Sequence, residues 1–243
     1  MNKRDYEINI TDVDFGDNDP IFKRFICLEI LCNRVYEKFH EVEDGDLVVD
    51  IGANVGLFAY SLKDRNPAEV ICVEPSNSLY EPLRKNLARL PFKTTIMPYG
   101  IANMTGLKYI KETDYVYGDH KSPVMAVITF DDLIKRNDIK YIDFLKVDCE
   151  GGEYDIFTEE NHSFITDHVG YVAGEWHLSG LEDGLGKFKK FRDMYLTDQT
   201  EFKVFEPYIW KDITDHVFDD DYLSRFCDWW KKDSQLMVYM NNE

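Results

Sequence analysis

The sequence lacks a long apolar run, a paired-cysteine spacing and a surplus of positive charge, and each absence closes off a class of function. No stretch of about 18 apolar residues occurs, and the segment from Met1 to Asp19 has no apolar signal core. A soluble protein that stays in the cytoplasm is therefore expected. The five cysteines, Cys27, Cys32, Cys72, Cys149 and Cys227, include no CxxC pair. Their odd number and the apolar setting of Cys72 point to reduced thiols and no zinc site. Lysine and arginine total 28 against 46 aspartates and glutamates, a formal net charge of −18. Such a surface opposes a phosphate backbone and an anionic bilayer alike, so neither nucleic acid nor membrane is an expected partner. The acidic run "DVDFGDND" fails as a calcium loop, because Asp17 stands where the EF-hand needs glycine and Lys23 where it needs glutamate.

What is present is an alternation of strand and helix patterns. Phe22, Phe25, Ile26, Cys32, Val35, Tyr36 and Phe39 recur at helical spacing after the Asp19–Pro20 start signal, which predicts one amphipathic helix. After it come "LVVDIGA", a helix over Leu57 to Lys63, "EVICVEP", a helix over Ser78 to Leu90, and "KTTIMPYG". The second half repeats the order with "YIDFLKVDCE", a helix near Glu153 to Glu159, "VGYVAGEWHL" and a helix near Leu185 to Tyr195. "EFKVFEPYIW" and "SQLMVYM" close the chain without a convincing crossover helix between them, so these two are expected to pair antiparallel. Apolar strands separated by helices predict a doubly wound α/β fold around a mostly parallel sheet. The expected organisation is an acidic segment and helix over residues 1–43, packed on a main domain over 44–243. Irregular insertions break the rhythm near 103–129, with Tyr109, Tyr115, Tyr117 and His120, and near 211–232, with Phe226, Trp229 and Trp230 at i, i+3 and i+4.

The first strand runs into a glycine turn, "DLVVDIGANVGLFAYSL", of the kind that holds a nucleotide. A dinucleotide fingerprint reads GxGxxG, with the second glycine making room for the pyrophosphate. Here Gly52 and Gly56 frame Asn54, whose side chain fills that room, and a ligand without phosphates fits better. Glu74 lies 74 − 52 = 22 residues beyond Gly52, close to the roughly 20-residue spacing at which a carboxylate accepts hydrogen bonds from ribose hydroxyls.

Four segments, "VVDIGANVG", "VEPSNSLYEPLRKNL", "ITFDDL" and above all "IDFLKVDCEGGEYDIF", resemble the FkbM family of S-adenosylmethionine-dependent methyltransferases. The resemblance spans Asp44 to Leu178, and "DFLKVDCEGGE" follows the family's DxLKxDxEGxE pattern, with Cys149 where valine or isoleucine is commoner. It implies a Rossmann-like class I methyltransferase fold with seven strands in the order 3-2-1-4-5-7-6, the last antiparallel. It also implies that Asp50, Gly52, Asn54 and Gly56 line the methionine end of S-adenosyl-L-methionine, that Glu74 with Pro75 holds the ribose, and that Ile101 and Ala102 border the adenine. Asp148 would then sit beside the donor's amino group and sulfonium. The implied reaction is O-methylation of a small molecule or glycan, with N-methylation, or a catalytically silent donor-binding protein, as alternatives.

Methyl transfer to a hydroxyl needs alignment and a group that takes the proton. The candidates are Asp148, Glu150 and Glu153 after the fourth long strand, and Glu175 and His177. Glu175 and His177 are i and i+2 on one strand and so face the same side, next to the strand that carries Asp148. His177 or Glu150 is the expected base. A divalent metal held by these carboxylates is the disfavoured alternative, and helix capping by Glu150 and Glu153 the bland one. Lys146, a charge inside an apolar strand, needs a buried partner, for which Asp131, Asp132 and Asp143 are the candidates.

Overall fold

The computed structural model describes residues 12–16, 20–109, 124–231 and 234–242. In the first half, helix α1 (Pro20–Cys27) is followed by β1 (Leu47–Ile51), α2 (Leu57–Ser61), β2 (Glu69–Val73), α3 (Asn77–Leu87), β3 (Lys93–Met97) and β4 (Gly100–Ile101). Strands β5 (Gly106–Tyr109) and β6 (Val124–Ile128) lead into α4 (Phe130–Arg136) and β7 (Ile142–Val147). The second half continues through α5 (Glu153–Ile156), α6 (His162–His168), β8 (Val169–His177), α7 (Gly184–Tyr195), β9 (Glu201–Glu206), β10 (Lys211–Asp212), α8 (Asp220–Trp230) and β11 (Gln235–Asn241).

The main sheet has the order β10-β9-β11-β8-β7-β1-β2-β3. Read from β3, the first seven strands follow the expected 3-2-1-4-5-7-6, and β11 pairs antiparallel with both β8 and β9. Two-residue β10 adds an eighth strand, folded back on β9 through the pairs Lys211–Glu206 and Asp212–Phe205. Alternate residues of the central strands feed two separate cores: Val49, Leu145 and Val172 on one face, Val48, Phe144 and Tyr171 on the other. Both faces are thus covered, as an apolar parallel sheet requires. Among the described residues no helix is long and apolar enough to cross a membrane.

Four local expectations need correction. The N-terminal helix stops early: after Cys27 the chain winds into a π-turn over Leu28–Cys32, closed by the Asn33 N–H on the Leu28 carbonyl, and Arg34 at φ 49° ends it. Val35 and Tyr36 are released into the core beside Val48 and Phe58, while Phe25 stays half exposed. The "KTTIMPYG" run is split, because Pro98 has no N–H for a ladder; Gly100 and Ile101 join β5 and β6 in a small sheet of order β4-β6-β5. The 211–232 stretch contains α8, capped by the Asp219 carboxylate, which accepts the N–H groups of Asp221 and Tyr222. Of its aromatics, Phe226 and Trp230 share a face, with ring centroids 6.5 Å apart and Trp230 also packed on Tyr208 at 4.9 Å, whereas Trp229 is 81 % exposed. Tyr115, Tyr117 and His120 lie outside the described residues, as does Asp19; Tyr109 is exposed.

The fourth correction concerns Lys146. Its partner is none of the three aspartates expected: Asp143 accepts the Leu47 N–H, Asp131 pairs with Lys135 and Asp132 accepts from Thr105. Parallel pairing of β1 with β7 instead sets Asp50 directly opposite Lys146, and Nζ lies 3.1 Å from Asp50 Oδ1, with both side chains buried. Nζ also donates to the Gly52 carbonyl at 2.7 Å. Burial alone would lower the lysine's pKa; Asp50 and Asp148 outweigh it and keep the ammonium charged. Breaking such a pair from one side strands a buried charge. Lys146→Met is expected to cost about 3–5 kcal/mol in urea denaturation, and the double variant Lys146→Met/Asp50→Asn to recover part of that loss. Equal stability of the single and double variants would show that the pair is not the source.

Candidate active site

The C-terminal ends of β1, β2, β7 and β8 converge on one edge of the sheet, where open α/β folds bind ligands. The turn after β1 holds Gly52 at φ 80°, Asn54 at φ 50° and Gly56 at φ 78°. A Cβ on Gly52 would lie 1.7 Å from the Asp148 carbonyl oxygen, so only glycine lets this turn approach the end of β7. Asn54 Oδ1 accepts the Val55 N–H at 2.8 Å, and Asn86 of α3 donates to the Val55 carbonyl at 2.8 Å, which fixes the turn from within and from outside. Asp50, assigned to the methionine end by resemblance, is wholly buried on Lys146, so its carboxylate acts on the turn from beneath.

Glu74 follows the last residue of β2 and faces that turn. Its two carboxylate oxygens accept the N–H groups of Asn54 at 2.9 Å and Ser76 at 2.8 Å. Burial pushes its pKa up to about 7 against those two hydrogen bonds. Pro75 beside it is half buried, and Ile101 and Ala102 are buried, with the Ala102 N–H on the Ile128 carbonyl at 3.0 Å. The described geometry therefore brings a carboxylate and an apolar wall to the same edge as the glycine turn.

Beyond β7, four acidic side chains gather around His177. Asp148, Glu175 and His177 each place a ligating atom within 4.8 Å of the others. His177 Nδ1 is 2.9 Å from Glu153 Oε1, and Nε2 is 3.6 Å from Glu150 Oε2. Glu153, wholly buried at the start of α5, also accepts the Cys149 N–H at 3.1 Å, so one oxygen ties the loop after β7 to the histidine, and no side chain caps the helix. Burial opposes a charge on His177, yet Glu153, Glu150 and Asp148 overcome it and push the ring's pKa up to about 10. Burial also lifts Glu150, to about 7, against the pull of His177. At neutral pH the imidazole is thus cationic, donating through Nδ1 to Glu153 and ion-paired through Nε2 with Glu150, whose carboxyl is poised to exchange a proton. A divalent ion at Asp148, Glu175 and His177 would have to displace that ring proton and compete with the Gln235 amide, which donates to Glu175 Oε2 at 2.7 Å.

Sequence reasoning missed three participants. Tyr36 donates its hydroxyl to Asp148 Oδ2 at 2.8 Å, Glu29 of the π-turn lies in the field of Asp148 and Lys146, and Gln235 opens β11 opposite His177. Only the apolar–acidic mixture of "RFICLEILCNRVYEKF" hinted at the first two. A cleft of about 230 Å³ lies between the π-turn and the Pro207–Trp210 turn, with Glu29, Asn33 and Gln235 in its wall.

The raised histidine pKa carries a stability signature. The native ring holds its proton to about pH 10, against an ordinary value of 6.5. The resulting stabilisation is complete below the lower value and is lost as pH rises through the higher one. In a proton NMR titration the His177 ring is expected to stay protonated through pH 8, and Glu153→Gln to move its midpoint down by at least about one unit. A wild-type midpoint near the ordinary value would refute the ion-pair geometry.

Residues 50–203 match the methyltransferase FkbM domain, well over half of the chain. The hexuronic acid methyltransferase AglP of Haloferax volcanii is 26% identical over 143 residues, 56% of this chain and 58% of that protein. The methyltransferase sdnD of Sordaria araneosa is 25% identical over 201 residues, 65% of this chain and 76% of that protein. The matched part of this chain thus spans little more than half the length of the first of these relatives. A solved rRNA methylase from Streptococcus thermophilus superimposes at 10% identity over 93% of this chain and 97% of that one, with a TM-score of 0.46, and no functional conclusion follows from it. The sheet order, the glycine turn facing Glu74 and the extent of the domain match agree: the chain belongs to the FkbM family of methyltransferases.

Proposed function

We propose that the protein is an S-adenosylmethionine-dependent methyltransferase acting on a hydroxyl of a small molecule or glycan. The observation that carries this reading is Glu74, a carboxylate at the tip of β2 tied by the Asn54 N–H to a phosphate-excluding glycine turn. The chemistry of the residues fits the donor. Glu74 offers acceptors for ribose hydroxyls, Ile101 and Ala102 an apolar border for the base, and the Gly52–Gly56 turn, held over Asp50 and Lys146, backbone groups for the amino-acid end. Asp148, which accepts from Tyr36, presents a carboxylate to a ligand carrying two positive charges. When bound, S-adenosylmethionine supplies a methyl carbon already activated by a positive sulfur.

The chain's own residues then have two tasks, alignment and removal of one proton. Glu150 is the group we assign as base, because its pKa near 7 matches the task and it stands at the mouth of the cluster. His177 arrives already protonated, so it serves as a fixed cation that holds Glu150 and steadies developing negative charge on the acceptor oxygen. Glu153 positions the imidazole through Nδ1. The hexuronic acid in the name of AglP favours a sugar hydroxyl as the acceptor, and the acidic surface speaks against a nucleic-acid acceptor.

Calorimetry with S-adenosylhomocysteine tests the donor assignment. Wild-type protein is expected to bind it, and Glu74→Ala to weaken binding by roughly 10- to 100-fold, the worth of a charged hydrogen-bond pair. No binding by the wild type would overturn the reading. Glu150→Gln is expected to lower kcat by about 10²-fold or more with donor affinity within a few fold, and His177→Ala to lower it as well. Wild-type turnover in both variants would move the chemistry elsewhere.

A further inference from the structure

The cleft between the π-turn and the Pro207–Trp210 turn lies wholly outside the stretch that matches the family domain. Phe25, Glu29 and Asn33 precede residue 50, and Tyr208, Trp210 and Gln235 follow residue 203. The donor-side residues, Gly52 to His177, all lie within that stretch. The cleft is nonetheless tied to the same chemistry through one residue: Gln235 forms part of its wall and donates to Glu175 Oε2 at 2.7 Å, and Glu175 shares its cluster with Asp148 and His177. Glu29 on the opposite wall lies within the electrostatic reach of Asp148.

We propose that this cleft is the acceptor site, that it takes an uncharged, hydroxyl-bearing ring, and that Glu29 makes it reject acceptors bearing a carboxylate. The proposal rests on the methyltransferase reading above and adds the acceptor's charge to it. Trp210, Tyr208 and the half-exposed Phe25 offer apolar faces of the width of a six-membered ring. Asn33 and Gln235 offer amide donors and acceptors, which bond hydroxyls without requiring charge. Neither lysine nor arginine lines the cleft among the described residues. Of the cations in the flanking segments, Lys146 is engaged on Asp50 and Arg34 on Glu37 at 2.5 Å, while Lys38 lies over the Trp210 ring, 5.3 Å from its centroid. Above about pH 7, to which burial pushes the Glu29 pKa, a carboxylate entering here would shed its hydration shell and meet Glu29, a charge of its own sign in the wall. Discrimination by repulsion of this kind sets specificity without adding a contact to the favoured ligand. Because the lining is contributed by the flanks of the domain, the charge of a relative's acceptor does not transfer with the shared core.

The test uses the full chain saturated with S-adenosylhomocysteine at pH 8, titrated by calorimetry with methyl glucoside and with methyl glucuronoside. Binding of S-adenosylhomocysteine, measured first, reports on the methyltransferase reading alone. Wild-type protein is expected to prefer the neutral glycoside by about tenfold or more, and Glu29→Gln to shrink that preference by at least about threefold with unchanged affinity for S-adenosylhomocysteine. Trp210→Ala is expected to weaken binding of the neutral glycoside, which assigns it to this cleft. Equal or tighter binding of the glucuronoside by the wild type would overturn the proposal, as would an unaltered preference in Glu29→Gln or failure of the loaded protein to bind either glycoside.

Discussion

The buried ion pair between Lys146 and Asp50 is the constraint on which the rest of the site depends. It joins the two central strands at the point where both are about to end, and the same ammonium reaches the Gly52 carbonyl at 2.7 Å. A pair removed this far from water contributes little net stability when intact but is costly to break. Its effect is therefore one of register. With Asp50 opposite Lys146, Gly52 must pass within contact of the Asp148 carbonyl, and the turn that follows is delivered to Glu74. The cluster at Asp148 inherits its position from the same residue two places along β7.

Around that pair, negative charge is concentrated and then partly neutralised. Glu150, Glu153, Glu175 and Asp148 surround one histidine, and the outcome is a cationic imidazole beside a carboxyl group whose pKa sits near 7. The division of labour is set by environment: Glu153 is sealed and hydrogen-bonded, Glu150 reaches the rim. The same residue type thus serves as an anchor in one place and as the exchangeable acid in the other. The resident cation also explains why so many acids can share a small volume.

Much of the architecture was legible in the sequence. Apolar strands such as "LVVDI" and "IDFLKV" cannot face water on either side, so a parallel sheet follows from them, and Gly52, Asn54 and Gly56 mark the turn that ends the first strand. The unreadable parts involve long-range pairing or backbone detail. Spacing along the chain carries no information on which strand will lie alongside β7, so Asp50 is not legible as the partner of Lys146. The early end of the N-terminal helix turned on Arg34 entering the left-handed region, a preference that no side-chain periodicity announces. Tyr36 could be read as one more apolar position of a helix; only its delivery into the core brings the hydroxyl to Asp148.

The sequence by itself determined the family and the glycine turn facing Glu74, because those residues are local: a strand, a five-residue turn, an acid at the next strand's tip and the "DFLKVDCEGGE" run. Tertiary structure alone decided the cleft that Gln235 joins to the acidic cluster. Glu29, Asn33, Trp210 and Gln235 are scattered from the first helix to the last strand, and they meet because antiparallel β11 returns between β8 and β9 while the π-turn folds over the sheet edge. It also decided the protonation of His177, which depends on the burial of Glu153 and on two strands lying side by side. A motif records chemistry that neighbouring residues can complete among themselves; charge balance and shape belong to residues that only the fold brings together.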